Sequence, residues 1–169
     1  PGKVLLNNKG DTVHERYART IAYFKSPIFS KALSEINSLI KDYPNDPYFF
    51  ELKGQILAEN GLVDEAIKAY KQSLKILPNA PLIVLPLANL LLEKDTGIEN
   101  TKKIKKMLNK VLLIETDNVL AWRLKGITHN RLNESIKADL AAAEENLLRS
   151  QYNRARFFSE KVIENSLNN

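Results

Sequence analysis

Residues 47–80 read PYFFELKGQILAENGLVDEAIKAYKQSLKILPNA. Phe50, Gly54 and Leu57 recur at three- and four-residue spacing, which places them on one helical face. Asn60-Gly61 then supplies a helix stop and a tight turn. In the second half, Ala66, Ile67, Tyr70, Leu74 and Leu77 form one stripe with lysines opposite. Asp64 is placed to cap this second helix. Pro78 ends it, because proline has no N–H and restricts the residue before it. The stretch thus reads as two helices joined by a short turn. Small Gly54 and Ala66 let them approach, and large Phe50 and Tyr70 fill the space beside them.

The same pattern recurs outward from this stretch. Pro44 and Pro78 lie 34 residues apart, with Ala32 and Ala66 each twelve before their proline and Ile36 and Tyr70 each eight before. Residues 13–46 therefore form a related unit, with Tyr23 on its first helix, Thr20 where the glycine belongs and Pro27 in the turn. Residues 81–118 keep Leu87, Ala88 and Leu91, but the turn EKDTGIEN is about three residues longer and Glu115-Thr116 replaces the closing proline. Pro86 lies inside an apolar run, so its helix either starts late or is kinked. Residues 119–133 restart with Trp122, Gly126 and His129. Beyond 133 the register is lost, and 134–148 and 151–167 read as a terminal helix pair, since an end unit must present a polar face to water.

A period of 34 residues with these positions resembles the tetratricopeptide repeat (TPR). The resemblance implies an all-α, TPR-like solenoid of about four repeats plus a terminal helix pair. Lys53 departs from it, standing where the family usually has Leu. In TPR proteins the first helix of each repeat lines a concave face. Carried onto this chain, that face holds Tyr17, Ile21 and Phe24, then Tyr48, Glu51, Gln55 and Ala58. The third repeat adds Leu82, Leu85, Asn89 and Leu92, and the fourth Leu120, Arg123, Ile127 and Asn130. The implied partner is an extended or helical polypeptide. The clamp that some TPR proteins use for a carboxylate tail needs Lys and Asn on the first repeat, where Tyr17 and Ile21 stand.

Three phrases narrow the resemblance: RYARTIAYFK (16–25), the stretch 45–83, and AWRLKGI (121–127). In order and spacing they are similar to the C-terminal TPR domain of bacterial zinc-dependent metalloproteases that carry HExxH in an N-terminal catalytic domain. This implies a non-catalytic part of a longer zinc metallopeptidase, periplasmic and linked to outer-membrane protein assembly. Its implied partners are substrate or assembly-machinery polypeptide and the protease domain of the same parent chain. Zinc is expected only in that domain, and this chain carries no cofactor. Residues 1–12 would be the end of the linker. The alternative is a stand-alone TPR scaffold attached to no enzyme.

Composition fits that frame. Of 169 residues, 44% are hydrophobic and 27% charged, with a formal net charge of +5. No apolar run approaches the roughly 20 residues that span a bilayer, and no signal peptide is visible. The chain begins with Pro1, which fits a processed or excised fragment. The absence of cysteine excludes disulfides and thiolate zinc sites. No phosphate loop, Ser/His/Asp arrangement or carboxylate pair suggests catalysis. His14-Glu15-Arg16-Tyr17-Ala18 resembles HExxH, but Ala18 stands where the second histidine belongs and a catalytic zinc needs three protein ligands. Glu15 instead suits a helix start. TKKIKKMLNK (101–110) is basic and amphipathic, with Ile104, Met107, Leu108 and Val111 as its stripe. Its lysines read as a solvated face; anionic lipid or nucleic acid is the alternative. No aromatic–basic interleaving favours base stacking, so a nucleic-acid partner is not expected.

Overall fold

The computed structural model describes residues 10–94 and 97–167, so most of the expected linker at 1–12 lies outside the described residues. Among the described residues there are nine helices and no strand. They fall into two compact units, residues 1–78 and 79–169.

The first unit is two stacked hairpins. α1 (Val13–Lys25) begins at Thr12, whose hydroxyl accepts from the Glu15 N–H while the Glu15 carboxylate accepts from the Thr12 N–H. This reciprocal cap satisfies orphan donors of the first turn. α2 (Phe29–Asp42) returns against α1. Arg16, almost fully buried, fastens the pair by donating to Asp42 at 2.8 Å and to the Ser38 hydroxyl at 2.8 Å. α3 (Pro47–Glu59) starts with Asp46 accepting from the Tyr48 N–H and with Pro47 in the first turn, where its missing N–H costs nothing. It stops at Asn60, and Gly61 takes φ +77, a left-handed conformation that glycine adopts freely. α4 (Val63–Ile76) begins earlier than capping by Asp64 would require. Leu62 is the cap residue, and Asp64 and Glu65 sit in the first turn, where carboxylates favour the helix dipole. The helix ends before Pro78 as expected.

The Gly54 site explains the pairing of α3 with α4. A Cβ on Gly54 would lie 2.9 Å from three ring atoms of Tyr70, inside van der Waals contact. Tyr70 is itself buried, so its ring has no space to retreat. One repeat earlier the same two positions hold Thr20 and Ile36, both fully buried. There the volume is divided between a medium pair instead of a small and a large residue. Ser73 adds a polar fastener, its hydroxyl donating to the Pro47 carbonyl at 2.6 Å. Between the hairpins, Ala32, Ile36, Leu39, Phe49, Leu52 and Ile56 form a shared core.

The second unit comprises α5 (Pro81–Glu93), α6 (Gly97–Ile114), α7 (Val119–Arg131), α8 (Ser135–Leu148) and α9 (Tyr152–Leu167). α5 starts at Pro81, so the late start that Pro86 permitted does not occur. Pro86 leaves the Leu82 carbonyl, one turn earlier, without its helical donor. Leu82 is 58% exposed, so water reaches this region. The long turn of the third repeat has a structural account. Thr116 lies 38 residues after Pro78, and the equivalents of Ala66, Tyr70 and Ser73 are then Ile104, Leu108 and Val111, all buried. The extra residues from Gly97 to Asn100 are an added first turn of α6, with residues 95–96 outside the described set.

The expected loss of register after 133 does not occur. α7 and α8 pack as a hairpin, and Ala138 follows Gly126 by twelve residues, as Ala66 follows Gly54. The signal fades because Ala142 occupies the position of Tyr70. Consequently α8 completes the fourth repeat, and α9 packs on α8 as a closing helix.

These two glycines predict opposite responses. A Cβ on Gly126 meets its nearest neighbours, the Ala138 carbonyl and Ala141 Cβ, at 3.7 Å, an ordinary contact. Gly126→Ala should therefore leave stability unchanged or raise it by up to about 1 kcal/mol through helix propensity. Gly54→Ala should destabilise by about 1–3 kcal/mol, because overpacking outweighs the same propensity gain. Chemical denaturation of both variants checks this, and a Gly54→Ala variant no less stable than Gly126→Ala overturns the packing account.

Candidate functional site

In the first unit, α1 and α3 bring the predicted residues together. Tyr17, Ile21 and Phe24 sit on one face of α1 and pack against the core cluster that includes Phe49, Leu52 and Ile56. The Tyr17 and Phe49 ring centroids lie 5.7 Å apart, tilted by 35°. Phe24 is half-buried, with the Lys25 ammonium 4.8 Å from its ring centre. These three side chains therefore belong partly to the inter-repeat core, with only their edges available to a partner. Tyr48 is exposed at the start of α3, and Gln55 donates to Glu59 at 3.1 Å one turn further along.

Glu51 is the unusual member of this face. It lies on α3 near Tyr17 and Tyr70, and burial raises its pKa above the ordinary carboxylate range. The Tyr17 hydroxyl is likewise raised, first by burial, then by the charges of Glu51 and Asp46. Tyr70 is shifted up for the same reason, with Glu51 and Glu59 as the nearby charges. A half-buried carboxylate whose shift is set by burial gains from an incoming positive charge or hydrogen-bond donor more than a solvated one does.

In the second unit the predicted face is only partly available. Leu92 and Leu85 are buried at 3% and 6% exposure and cannot contact a peptide. The reason is that α5 is apolar nearly all round, with Ile83, Val84, Leu87, Ala88 and Leu90 buried as well. The Leu92 carbonyl accepts from Arg131 at 2.5 Å, which ties the end of α5 to the end of α7. Asn89 is half-buried and donates to Glu93 at 2.6 Å. Arg123 and Asn130 are exposed on α7, beside half-buried Ile127.

One cluster was not legible beforehand. His129, read only as an aromatic repeat position, is buried with Nδ1 2.5 Å from the Glu134 carboxylate. Lys105 donates to both oxygens of Glu134, at 2.9 and 3.0 Å. Lys105 first, then His129, hold the Glu134 pKa at about 2. Burial lowers the His129 pKa, against the raising effect of its contact with Glu134. The cluster clamps the α7–α8 connection onto α6.

HERYA does not fit a zinc site. The Glu15 carboxylate accepts from the Thr12 hydroxyl at 2.6 Å, Arg16 is committed to Asp42 and Ser38, and Ala18 offers no ligand. Among the described residues no group of three or more His, Asp or Glu could hold a metal ion, and no helix is long and apolar enough to cross a membrane.

No family model matches the chain. No curated protein matches it. Solved structures match it in fold. MamA from Desulfovibrio magneticus RS-1 superposes with a TM-score of 0.67 at 20% identity, covering 93% of this chain and 96% of its own. A second MamA crystal structure gives 0.69 at 14% identity, covering 88% and 95%. A tetratricopeptide repeat protein from Parabacteroides merdae gives 0.64 at 16% identity, covering 90% of this chain and 66% of that one. The fold is all-α and TPR-like, built of antiparallel helix pairs.

Proposed function

We propose that this chain is a non-catalytic protein-interaction module that binds polypeptide on the α1/α3 face of its first unit. The observation that carries this reading is Glu51, a desolvated carboxylate held on a face with the edges of Tyr17 and Tyr48 and the amide of Gln55. The aromatic edges supply apolar contact at low entropic cost. The amide meets a peptide backbone group, and Glu51 takes a lysine, an arginine or an amide donor. Asn89, Arg123 and Asn130 on the second unit are further contact residues in this reading.

A finer reading assigns the module to a periplasmic zinc metalloprotease, with the protease domain N-terminal to it in the same parent chain. Its support is the phrase match at 16–25, 45–83 and 121–127. Under this reading the reading frame upstream of Pro1 encodes an HExxH-bearing segment. An upstream frame without one removes the protease and leaves the stand-alone scaffold.

The binding reading is tested by adding a carboxymethylated, permanently unfolded protein to the isotopically labelled chain. Amide shifts should cluster at Tyr17, Glu51 and Gln55; shifts confined to α2 and α4 overturn the assignment. Glu51→Gln adds a second readout with opposite signs for fold and function. The raised pKa means that the folded state resists ionising Glu51, a cost present once pH exceeds the ordinary carboxylate range and absent below it. The variant should therefore be more stable than the parent at neutral pH, lose that advantage in acid, and bind the unfolded protein more weakly. An equal gain at both pH values removes the desolvation account.

A further inference from the structure

The added turn of α6 has a structural consequence in the second unit. Between the first half of α6 and the α7–α8 connection lies a recess of about 470 Å³. Ile98 and Glu99 of the added turn form one wall, so the recess exists where the third repeat departs from its neighbours. Five cations and two carboxylates line it. Three of the cations are engaged: Lys102 by Glu99 at 2.9 Å, Lys105 by Glu134, and Arg131 by the Leu92 carbonyl. Lys103 and Lys106 line the recess as well, with Glu99 already held most closely by Lys102. Beside them Ile98, 63% exposed, and Leu132 offer apolar surface.

The occupant is constrained from three sides. A lipid surface is disfavoured because the apolar stripe of α6, Ile104, Leu108 and Val111, is buried in the helix packing and unavailable for insertion. A nucleic-acid strand is disfavoured because the residues lining the recess include no aromatic ring for stacking. Glu99 and Glu134 would also oppose a continuous run of phosphates. An acidic polypeptide carrying aliphatic side chains meets both the two remaining ammonium groups and the apolar wall. We propose that this recess is a docking site for an acidic, aliphatic-containing segment of a partner protein, with Lys103 and Lys106 taking its carboxylates and Ile98 and Leu132 its apolar side chains. The site is separate from the α1/α3 face and does not depend on it.

The test is fluorescence anisotropy of the full chain with a labelled peptide of Glu-Asp-Leu repeats. Reversing both charges, Lys103→Glu with Lys106→Glu, should weaken binding about tenfold or more, since like charges then face each other. Lys110→Glu, exposed on the same helix but outside the recess, should leave affinity unchanged, and Ile98→Ser should weaken binding with the charges intact. Circular dichroism confirms that the variants fold. Equal losses for Lys110→Glu and the double reversal would show a diffuse charge effect and overturn the site. Tighter binding of a single-stranded oligonucleotide or of phosphatidylserine vesicles than of the peptide would overturn the choice of partner.

Discussion

The fold rests on how closely two antiparallel helices can approach, and Gly54 under the Tyr70 ring is the tightest expression of that constraint. With the Cβ absent, α3 and α4 meet with a buried aromatic ring filling the space between them. The other repeats meet the same requirement with different partners. Thr20 and Ile36, both fully buried, hold these positions in the first repeat and Ala88 and Leu108, also buried, in the third, while in the fourth Gly126 faces the Ala138 carbonyl and the Ala141 Cβ at ordinary contact. What is shared is a pair of helices packed side by side, not a particular residue. This is why the repeat tolerates wide sequence change and why solved structures at 14–20% identity still superpose.

Apolar packing alone leaves helix pairs free to slide, and polar fasteners near the helix ends oppose that. Arg16 bridges to Asp42 and Ser38 in the first repeat, and Ser73 reaches the Pro47 carbonyl in the second. In the second unit Arg131 holds the Leu92 carbonyl, and Lys105 with His129 holds Glu134. These groups are partly buried with their partners in place. Removing one member would leave the other desolvated and unpaired, which costs more than the bond itself contributes. His129 shows the consequence for titration. Burial pushes its pKa down, while the hydrogen bond and the charge of Glu134 pull it back up.

The first unit was legible in the sequence because its signals are redundant. The 34-residue spacing, the prolines, the glycine and the aromatic stripe all pointed to the same helices. The fourth repeat was half legible, since a single change, alanine for the aromatic at 142, removed the marker although the hairpin persisted. Asp64 misled because a carboxylate two residues into a helix and one at its cap look alike in sequence. Leu92 misled for a different reason. Its position on the first helix of a repeat is correct, but α5 is so apolar that its inner face is covered. The Lys105–His129–Glu134 cluster spans 29 residues of sequence and depends on the rotation of two helices, which no local pattern encodes. The half-burial of Glu51 is likewise a property of its surroundings in the folded unit.

The added turn of α6 shows how a repeat can acquire a site without disturbing its packing. The inserted residues lie N-terminal to the stripe of Ile104, Leu108 and Val111, so the rotation of that stripe relative to its neighbours is unchanged. Thr101 extends the stripe by one further buried position, with its hydroxyl returning to the Gly97 carbonyl. An insertion within the stripe would rotate the remainder of the helix by about 100° per residue and bring lysines into the core. Placed at the helix start, the same residues only lengthen α6 beyond the hairpin core. Ile98 and Glu99 then line a recess whose other side is the α7–α8 connection, where Glu134 accepts from Lys105. The recess thus lies between the start of α6 and the α7–α8 connection, and two of its cations, Lys105 and Arg131, are held by Glu134 and the Leu92 carbonyl in contacts that join separate helices.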